Sequence, residues 1–394
     1  MAAPRTIYIA GAGIAGLTLA LALAKFGLKV VVLERNDAVS PFGAGLQISP
    51  NARRVLDRLG LADAIAERSF APSGIDIFPS GRIRPIQTLV LGAEIEARFG
   101  APYAVMHRAD LADLLHGAAR RFANIDIVPG VSEFGLVAEG PRLTVTATEP
   151  DGKLRRAHPF AFVGADGVNS ITRTKFLGGP VAAYTGKLAW RTLVDPDALK
   201  GLFDLDRTSL LLGTDHHLVV YPLPHRGKVN LALFTTAPQP LPLADTPQRP
   251  ALKARPGTPI AHVLAAAGES WTAWALSSVE TETWSQGAIG LVGDAAHAML
   301  PFQAQGAAMG IEDAAVLAPL LAASPSAEHA FARYAALRQA RVRRVQAVSR
   351  SNGRIFHMGA PLSLARDAVI RAGGPRDHFR RLAWLYGYDP HLGA

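Results

Sequence analysis

The sequence predicts an α/β protein: a parallel-sheet domain, a mostly antiparallel sheet inserted into it, and helices at the carboxy-terminal end. Three observations predict this. The chain opens as strand, glycine turn, helix and second strand, with no charge from Ile7 to Ala24. Two later apolar strands end in Asp166-Gly167 and Gly293-Asp294. Between about 174 and 284 the hydrophobic pattern shortens to alternation, the period of half-buried strands.

The uncharged opening, at about 18 residues, has the length of a short membrane span. Its internal detail points elsewhere. Ile7 to Ala10 is a β-branched strand, glycines follow at Gly11, Gly13 and Gly16, an Ala/Leu run with good helix propensity comes next, and Lys29 to Glu34 is a second strand. Strand, turn, helix and strand within about 30 residues is the plan of a dinucleotide-binding unit of Rossmann type. No positively charged segment with a small-residue cleavage site precedes it, so the cytoplasm is the expected compartment.

Within the turn Gly11-Ala12-Gly13-Ile14-Ala15-Gly16, each glycine has a task. Gly11 permits the tight turn, Gly13 lets the backbone approach a pyrophosphate, and Gly16 lets helix and strand pack closely. The helix amino-terminus then offers free N–H groups and a positive dipole end. Glu34, 18 residues past Gly16, stands where a carboxylate accepts both ribose hydroxyls of an adenosine. The bland alternative is a set of turn glycines and a solvated strand end.

Composition sets bounds. The chain has 394 residues, enough for two domains, with 49% hydrophobic and 19% charged residues. The net charge of +9 raises the question of nucleic acid, but the charges are scattered and no nucleic-acid-binding signature is present. A positive field also draws in small anions. There are no cysteines, which excludes disulfides and thiolate chemistry, and no His/Glu cluster has metal-ligand spacing, so no metal is expected. The Pro-rich stretch 235–259 reads as a surface excursion.

Three further stretches complete the pattern. "YAVMHRADLADLL" carries Arg108 at a helix entry, "FVGADGVNSITR" carries Asp166, and "GAIGLVGDAAHAMLPFQAQGAAMGIEDAAVLAPLL" carries Gly293, Asp294 and a long helix beginning near Gly306. With the glycine turn, the Asp-Gly and the Gly-Asp motifs in order, the chain resembles the single-component FAD-dependent aromatic hydroxylases of the 4-hydroxybenzoate hydroxylase type, over nearly its whole length. It looks most like the salicylate, 3-hydroxybenzoate 6- and 6-hydroxynicotinate hydroxylase branch, on "GAGLQISPNARRVLDRLGL", "LAWRTLV", "HLVVYPL" and "AQGAAMGIEDA". It departs from many members at His297-Ala298, where they have His-Pro.

The resemblance implies an FAD-binding domain from 1–70, 100–173 and 285–330, a substrate-binding sheet domain from 71–99 and 174–284, and a helical segment over 331–394. It implies that Asp294 binds the ribityl or pyrophosphate region, with Arg108 reaching the same stretch. Asp166 would lie near the pyrophosphate and the nicotinamide approach, Arg35 would flank the adenine, and Val131 would touch it through its backbone. Taken singly, Asp166 also fits a helix cap, Asp294 an interior turn and Arg108 a surface charge. A helix beginning at Gly306-Ala307-Ala308 presents free N–H groups beside small side chains, suited to negative charge on a reduced flavin; an ordinary buried Ala-rich helix reads the same way.

The implied activity is hydroxylation of a small phenolic or heteroaromatic, carboxylated substrate with NAD(P)H and O2, through a flavin C4a-hydroperoxide. A single glycine fingerprint implies that the nicotinamide cofactor binds transiently. His217 and Tyr221 are four residues apart on an expected strand, so both face one side. In this branch such a pair contacts the substrate hydroxyl. Carried over, His217 assists deprotonation of the phenol and Tyr221 orients the ring or relays the proton, against the alternatives of a packed Tyr and a hairpin-capping His pair. Pro301 would lie beside the reacting edge of the flavin, or else only stiffen its loop. Arg191 meets either a substrate carboxylate or a structural acid. The basic helix within 331–358 has a solvated face as its default reading, and the last aromatic segment packs on the FAD domain or at a dimer contact, in a monomer or homodimer. Two rivals share this scaffold: an FAD-dependent oxidoreductase that inserts no oxygen, and a non-enzymatic flavin- or nucleic-acid-associated protein.

Overall fold

A computed structural model of the chain describes residues 5–37, 45–140, 142–241 and 248–390. The opening run splits into the strand Thr6–Ala10 and the helix Ile14–Lys25. Thr6–Ala10 is central in a sheet ordered Ser285–Gln286, Ile289–Leu291, Ala161–Gly164, Thr6–Ala10, Lys29–Leu33, Ile125–Val128. All its pairings are parallel except that of Ser285–Gln286 at one edge. Strands covered on both faces read as unbroken apolar runs, which is why "IYIA" and "VVVL" carry no alternation.

The first helix is apolar all round because it is covered all round. The helices Gly306–Ala323 and Arg108–Ala119 pack on it from outside the sheet. Leu17, Leu19, Leu21 and Leu23 are each at most 1% exposed, and burial of each contributes roughly 1.5–3 kcal/mol. The opening run is thus interior. Gly306–Ala323 is also long and apolar enough for a span, yet most of it is buried against Ile14–Lys25 and Pro50–Arg58.

The second sheet runs Thr272–Ser278, Ala183–Val194, Lys228–Thr236, His216–Leu223, Thr208–Leu212, Gly74–Phe78, Gln87–Val90. It is antiparallel except for Thr208–Leu212 beside Gly74–Phe78. Alternation divides its two faces. Leu188, Trp190, Leu218, Val220, Leu231 and Leu233 form one core with Trp271 and the helix Pro259–Ala267. The opposite face carries Ala189, Arg191, His217, Val219, Tyr221, Asn230, Ala232 and Phe234, and Tyr221 and Leu223 join the core of the parallel-sheet domain. Pro222 lies beyond the reach of Thr208–Leu212, which pairs only with His217 to Val220, so its missing N–H costs the ladder nothing there. The three-stranded sheet Phe134–Glu139, Arg142–Thr148, Leu154–Ala157 was not anticipated.

The carboxy-terminal helix spans Ala327–Phe356 and starts four residues before the expected 331, because the Ser326 hydroxyl caps it by accepting from the His329 N–H. Its basic face is only partly solvated, contrary to the default reading. Arg338 is 0% exposed and pairs with Glu312 and Asp313. Arg341 and Arg344 lie over Tyr388 and Trp384, at 3.9 and 4.0 Å from the ring centroids. The final aromatic segment packs on the chain itself: Arg54 donates to the carbonyls of Tyr386 and Tyr388, and Tyr386 meets Phe99 edge-on at 5.8 Å. The surface reading of 235–259 falls partly on 242–247, outside the described residues; beyond them Gln248 pairs with Trp271.

Candidate cofactor and substrate site

The first loop forms a cradle closed on its protein side and open on the other. Gly11 has φ +101° and donates its N–H to the Leu33 carbonyl at 2.8 Å. A Cβ there would lie 2.5 Å from the Ala165 carbonyl oxygen, and one on Gly16 would lie 2.0 Å from the Gly11 oxygen. On Gly13, which is exposed, a Cβ would meet nothing within 4 Å. No side chain caps the helix that follows, so the N–H groups of Ile14, Ala15 and Gly16 point out of the cradle. Ala12 donates its N–H to Glu34 Oε2 at 2.7 Å, and Asn36 donates to Oε1 through both its N–H and Nδ2 at 2.9 Å. Arg35 is exposed beside it. The Val131 N–H bonds the Glu34 carbonyl at 2.9 Å, which leaves only the Val131 carbonyl for a ligand contact.

Gly293 and the Gly306–Ala323 helix close the opposite side. Gly293 has φ +60°, and its Cβ would lie 2.9 Å from the Ala15 Cβ; Gly310 would make the same contact. Asp294, half-buried, opens the short helix Asp294–His297 and makes no hydrogen bond or ion pair among the described residues. Gln305 sits at the N-cap of Gly306–Ala323 without capping it; it bonds Ser49 Oγ and Asn51 Nδ2 instead. Gly306 and Ala307 are half-exposed and Ala308 is buried, so the first-turn N–H groups face open space beside small side chains. Pro301 opens the turn Pro301–Gln303 that leads into this helix. The Gln303 side chain is held by Asn352.

Behind this edge lies a buried polar network. Asp313 accepts from Gly293 N–H at 2.9 Å, His297 Nε2 at 2.6 Å and Arg338 Nε at 2.8 Å. Glu312 pairs with Arg338 and Arg341 and accepts from Asn51 Nδ2. Burial alone would raise the Asp313 carboxyl, but His297 and Arg338 hold it well below the ordinary carboxylate range.

On the sheet face, the Asn230 side chain accepts the Gly45 N–H at 2.8 Å, and Arg191 Nη1 reaches the Gly45 carbonyl at 3.4 Å. Tyr221 packs on Gly45 so closely that a Cβ there would fall 2.3 Å from its hydroxyl oxygen. Burial raises the Tyr221 phenol, and the Arg191 charge only partly offsets it, so Tyr221 stays protonated. Burial lowers Arg191 from its ordinary value; Tyr221 opposes this and Arg108 adds to it. Neither Arg191 nor Arg108 has an acidic partner among the described residues, so the structural-acid alternative for Arg191 finds no partner there.

His217 and Tyr221 share a face, but His217 lies deeper. It is 1% exposed, stacked on Phe234 at 4.6 Å, and its Nδ1 is 2.7 Å from His357 Nε2. The hairpin-capping role belongs to His216, whose Nδ1 lies 2.7 Å from the Thr214 carbonyl. Asp166 takes the capping position that its sequence also fits. Its carboxylate, half-buried, accepts from Ser170 Oγ, Thr172 N and Thr172 Oγ1 at 2.6–3.0 Å, and so caps the turn after its strand. Sequence reasoning missed Gly45, Lys187, Asp313 and His357. The "IEDA" motif contains Asp313, and two adjacent acids, Glu312 and Asp313, on an otherwise apolar helix are the available signal.

The site fits a dinucleotide flavin. The Gly13 cradle admits a pyrophosphate, Asp294 is unpartnered, and two uncapped helix starts converge through the Ala15–Gly293–Gly310 contact. The family model described as FAD binding domain matches residues 5–350. A 3-amino-4-hydroxybenzoate 2-monooxygenase of Streptomyces platensis is 34% identical, over 97% of this chain and 96% of that protein. A 3-hydroxybenzoate 6-hydroxylase of Aquipseudomonas alcaligenes is 31% identical, over 97% and 98%. The same fold occurs in the Klebsiella pneumoniae protein HpxO, solved with FAD and uric acid, with a TM-score of 0.82 at 23% identity over 99% of this chain and 98% of that one.

Proposed function

The chain belongs to the FAD binding domain family, and on that premise we propose that it uses NAD(P)H and O2 to hydroxylate a small phenolic or heteroaromatic acid. It is an FAD-dependent aromatic monooxygenase, like the relatives that match it end to end. Those relatives favour oxygen insertion over the non-oxygenating alternative.

Bound FAD supplies electron transfer from the nicotinamide to dioxygen. The remaining work falls to the chain. The N–H groups of Ile14, Ala15 and Gly16 take the pyrophosphate, with Gly13 giving clearance. Glu34, held by Ala12 and Asn36, would accept the adenosine ribose hydroxyls with its remaining lone pairs, and Asp294 and Arg108 would hold the middle of the cofactor. The uncapped first-turn N–H groups of Gly306–Ala323 would receive the polar edge of the isoalloxazine and favour negative charge there. Pro301 and Phe302 wall the ring pocket. On the sheet face, Arg191 draws in the substrate carboxylate and Tyr221 donates to the ring hydroxyl oxygen, which fixes the carbon presented to the flavin. His217 lies farther along the same face and accepts the phenolic proton. The apolar side chains of Val219, Ala232 and Phe234 keep water out between these groups.

The observation that carries this reading is Arg191: a half-buried cation with no acidic partner among the described residues, beside a protonated tyrosine, on the sheet face whose Tyr221 and Leu223 join the core of the parallel-sheet domain. The test is a screen of aromatic acids for faster NADH oxidation, with oxygen uptake, hydrogen peroxide and product mass followed together. A product heavier by one oxygen atom supports the proposal. Faster NADH oxidation with peroxide alone, across all phenolic and heteroaromatic acids, would refute it.

A further inference from the structure

Among the described residues, a chain of titratable groups runs from His217 to the surface. His217 Nδ1 is 2.7 Å from His357 Nε2, His357 Nδ1 is 3.1 Å from Lys187 Nζ, and Lys187 donates to Thr236 Oγ1 at 2.6 Å, where Thr236 is exposed. The two imidazoles come from elements 140 residues apart. Each is fixed from outside. The His357 carbonyl accepts the Asp215 N–H at 3.1 Å, and Asp215, at φ +60°, gives its own carbonyl to Thr236. Arg366 holds the Ile355 and Phe356 carbonyls just before His357. The His217 ring is clamped between Phe234, Phe302 and Phe356, with centroids 4.6–5.2 Å away, and its Nε2 makes no hydrogen bond among the described residues. Phe302 belongs to the Pro301–Gln303 turn, so the inner end of the chain abuts the segment leading to Gly306.

We propose that His217, His357 and Lys187 form a proton wire between the substrate side of the sheet and solvent, and that Lys187 sets its direction. The proposal rests on the hydroxylase reading only for the source of the proton, a phenolic hydroxyl. The substrate O–H bond breaks as its proton joins His217 Nε2. The His217 Nδ1 proton passes to His357 Nε2, the His357 Nδ1 proton passes to the neutral Lys187 amine, and the resulting ammonium releases one proton to water. The phenol becomes phenolate, and nothing is oxidised or reduced. With Lys187 charged, the same bonds point the other way: Lys187 donates to His357, His357 donates to His217, and His217 Nε2–H faces the phenolate oxygen. The wire is restored when the product phenolate takes the His217 Nε2 proton and each hop runs in reverse, with Lys187 drawing its proton from water.

The surrounding charges suit this. Burial, then His357, His216 and Lys187, push His217 well below its ordinary value. Burial, then Lys187 and His216, bring His357 to about 3. Both rings are therefore neutral near pH 7, and a proton reaching His217 has to move on. Burial lowers Lys187 as well, with Asp215 opposing.

The test uses the FAD-loaded protein and needs no substrate for its first readout. Histidine-selective nitrogen NMR at pH 7 should show His217 and His357 as Nε2–H tautomers. Lys187→Met should release that bias at His357, and Lys187→Arg should keep it. With any aromatic acid that turns over, Lys187→Met and His357→Gln should each lower kcat about tenfold or more, with KM within about twofold, and the double variant should be no worse than either alone. Unchanged tautomers in Lys187→Met, or additive losses in the double variant, would overturn the wire. Should no aromatic acid turn over, the hydroxylase reading fails by itself and the tautomers still decide the wire.

Discussion

Gly293 donates its backbone N–H to the Asp313 carboxylate at 2.9 Å, across 20 residues of chain. This bond holds a glycine at φ +60° directly before Asp294, which opens the short helix half-buried and without a hydrogen-bond partner among the described residues. The same carboxylate anchors His297 and the fully buried Arg338. One buried acid therefore ties the Gly293 turn, the helix Asp294–His297 and the helix Ala327–Phe356 together.

Asp313→Ala should destabilise the protein by about 3–5 kcal/mol, because Arg338 and His297 lose a buried partner. It should also weaken FAD retention. Thermal melts and flavin fluorescence titration check both. The pH dependence has a defined sign. The Asp313 pKa is depressed in the fold, so its contribution is complete above the ordinary carboxylate value of about 3.9 and drains away as pH falls below it toward the folded value. An Asp313 variant should lose this acid sensitivity.

Gly13→Ala and Gly16→Ala should part company. A methyl on Gly13 has open space on the protein, so flavin-free melts should move by at most about 2–4 °C. The same methyl occupies the phosphate approach, and FAD affinity should fall at least about tenfold, or 1.4 kcal/mol. On Gly16 the methyl collides with the Gly11 oxygen, so the melt and the affinity should drop together.

Arg191→Gln should raise KM for a carboxylated substrate by about tenfold or more and leave a phenol lacking the carboxylate nearly unaffected. Steady-state kinetics on a matched acid and phenol decide it. An equal loss for both would remove Arg191 from carboxylate binding.

Tyr221→Phe should lower kcat without moving the pH profile between 6 and 9, since burial keeps this phenol protonated throughout that range. Gly45→Ala should reproduce the loss, although position 45 carries no chemistry, because its methyl would occupy the place of the Tyr221 hydroxyl. A pH limb that disappears in Tyr221→Phe would show that the tyrosine titrates and would contradict the assignment.

The sequence by itself determined what depends on neighbours along the chain. Glycine spacing at 11, 13 and 16, the apolar run to Ala24 and the alternation in "HHLVVYPL" fixed the strand–turn–helix cradle, the inserted sheet and the shared face of His217 and Tyr221. These follow from backbone sterics and from periods of 3.6 and 2, which are local quantities. The tertiary structure alone decided which groups met. It left Arg191 with no acidic partner among the described residues, set Tyr221 on Gly45, bound Gly293 to Asp313 and brought His357 from a helix end onto His217. No local rule contains these pairs. Sequence distances of 20 to 176 residues are closed by topology, and whether a buried polar group pairs or stays free is settled only by what the fold places within hydrogen-bond reach.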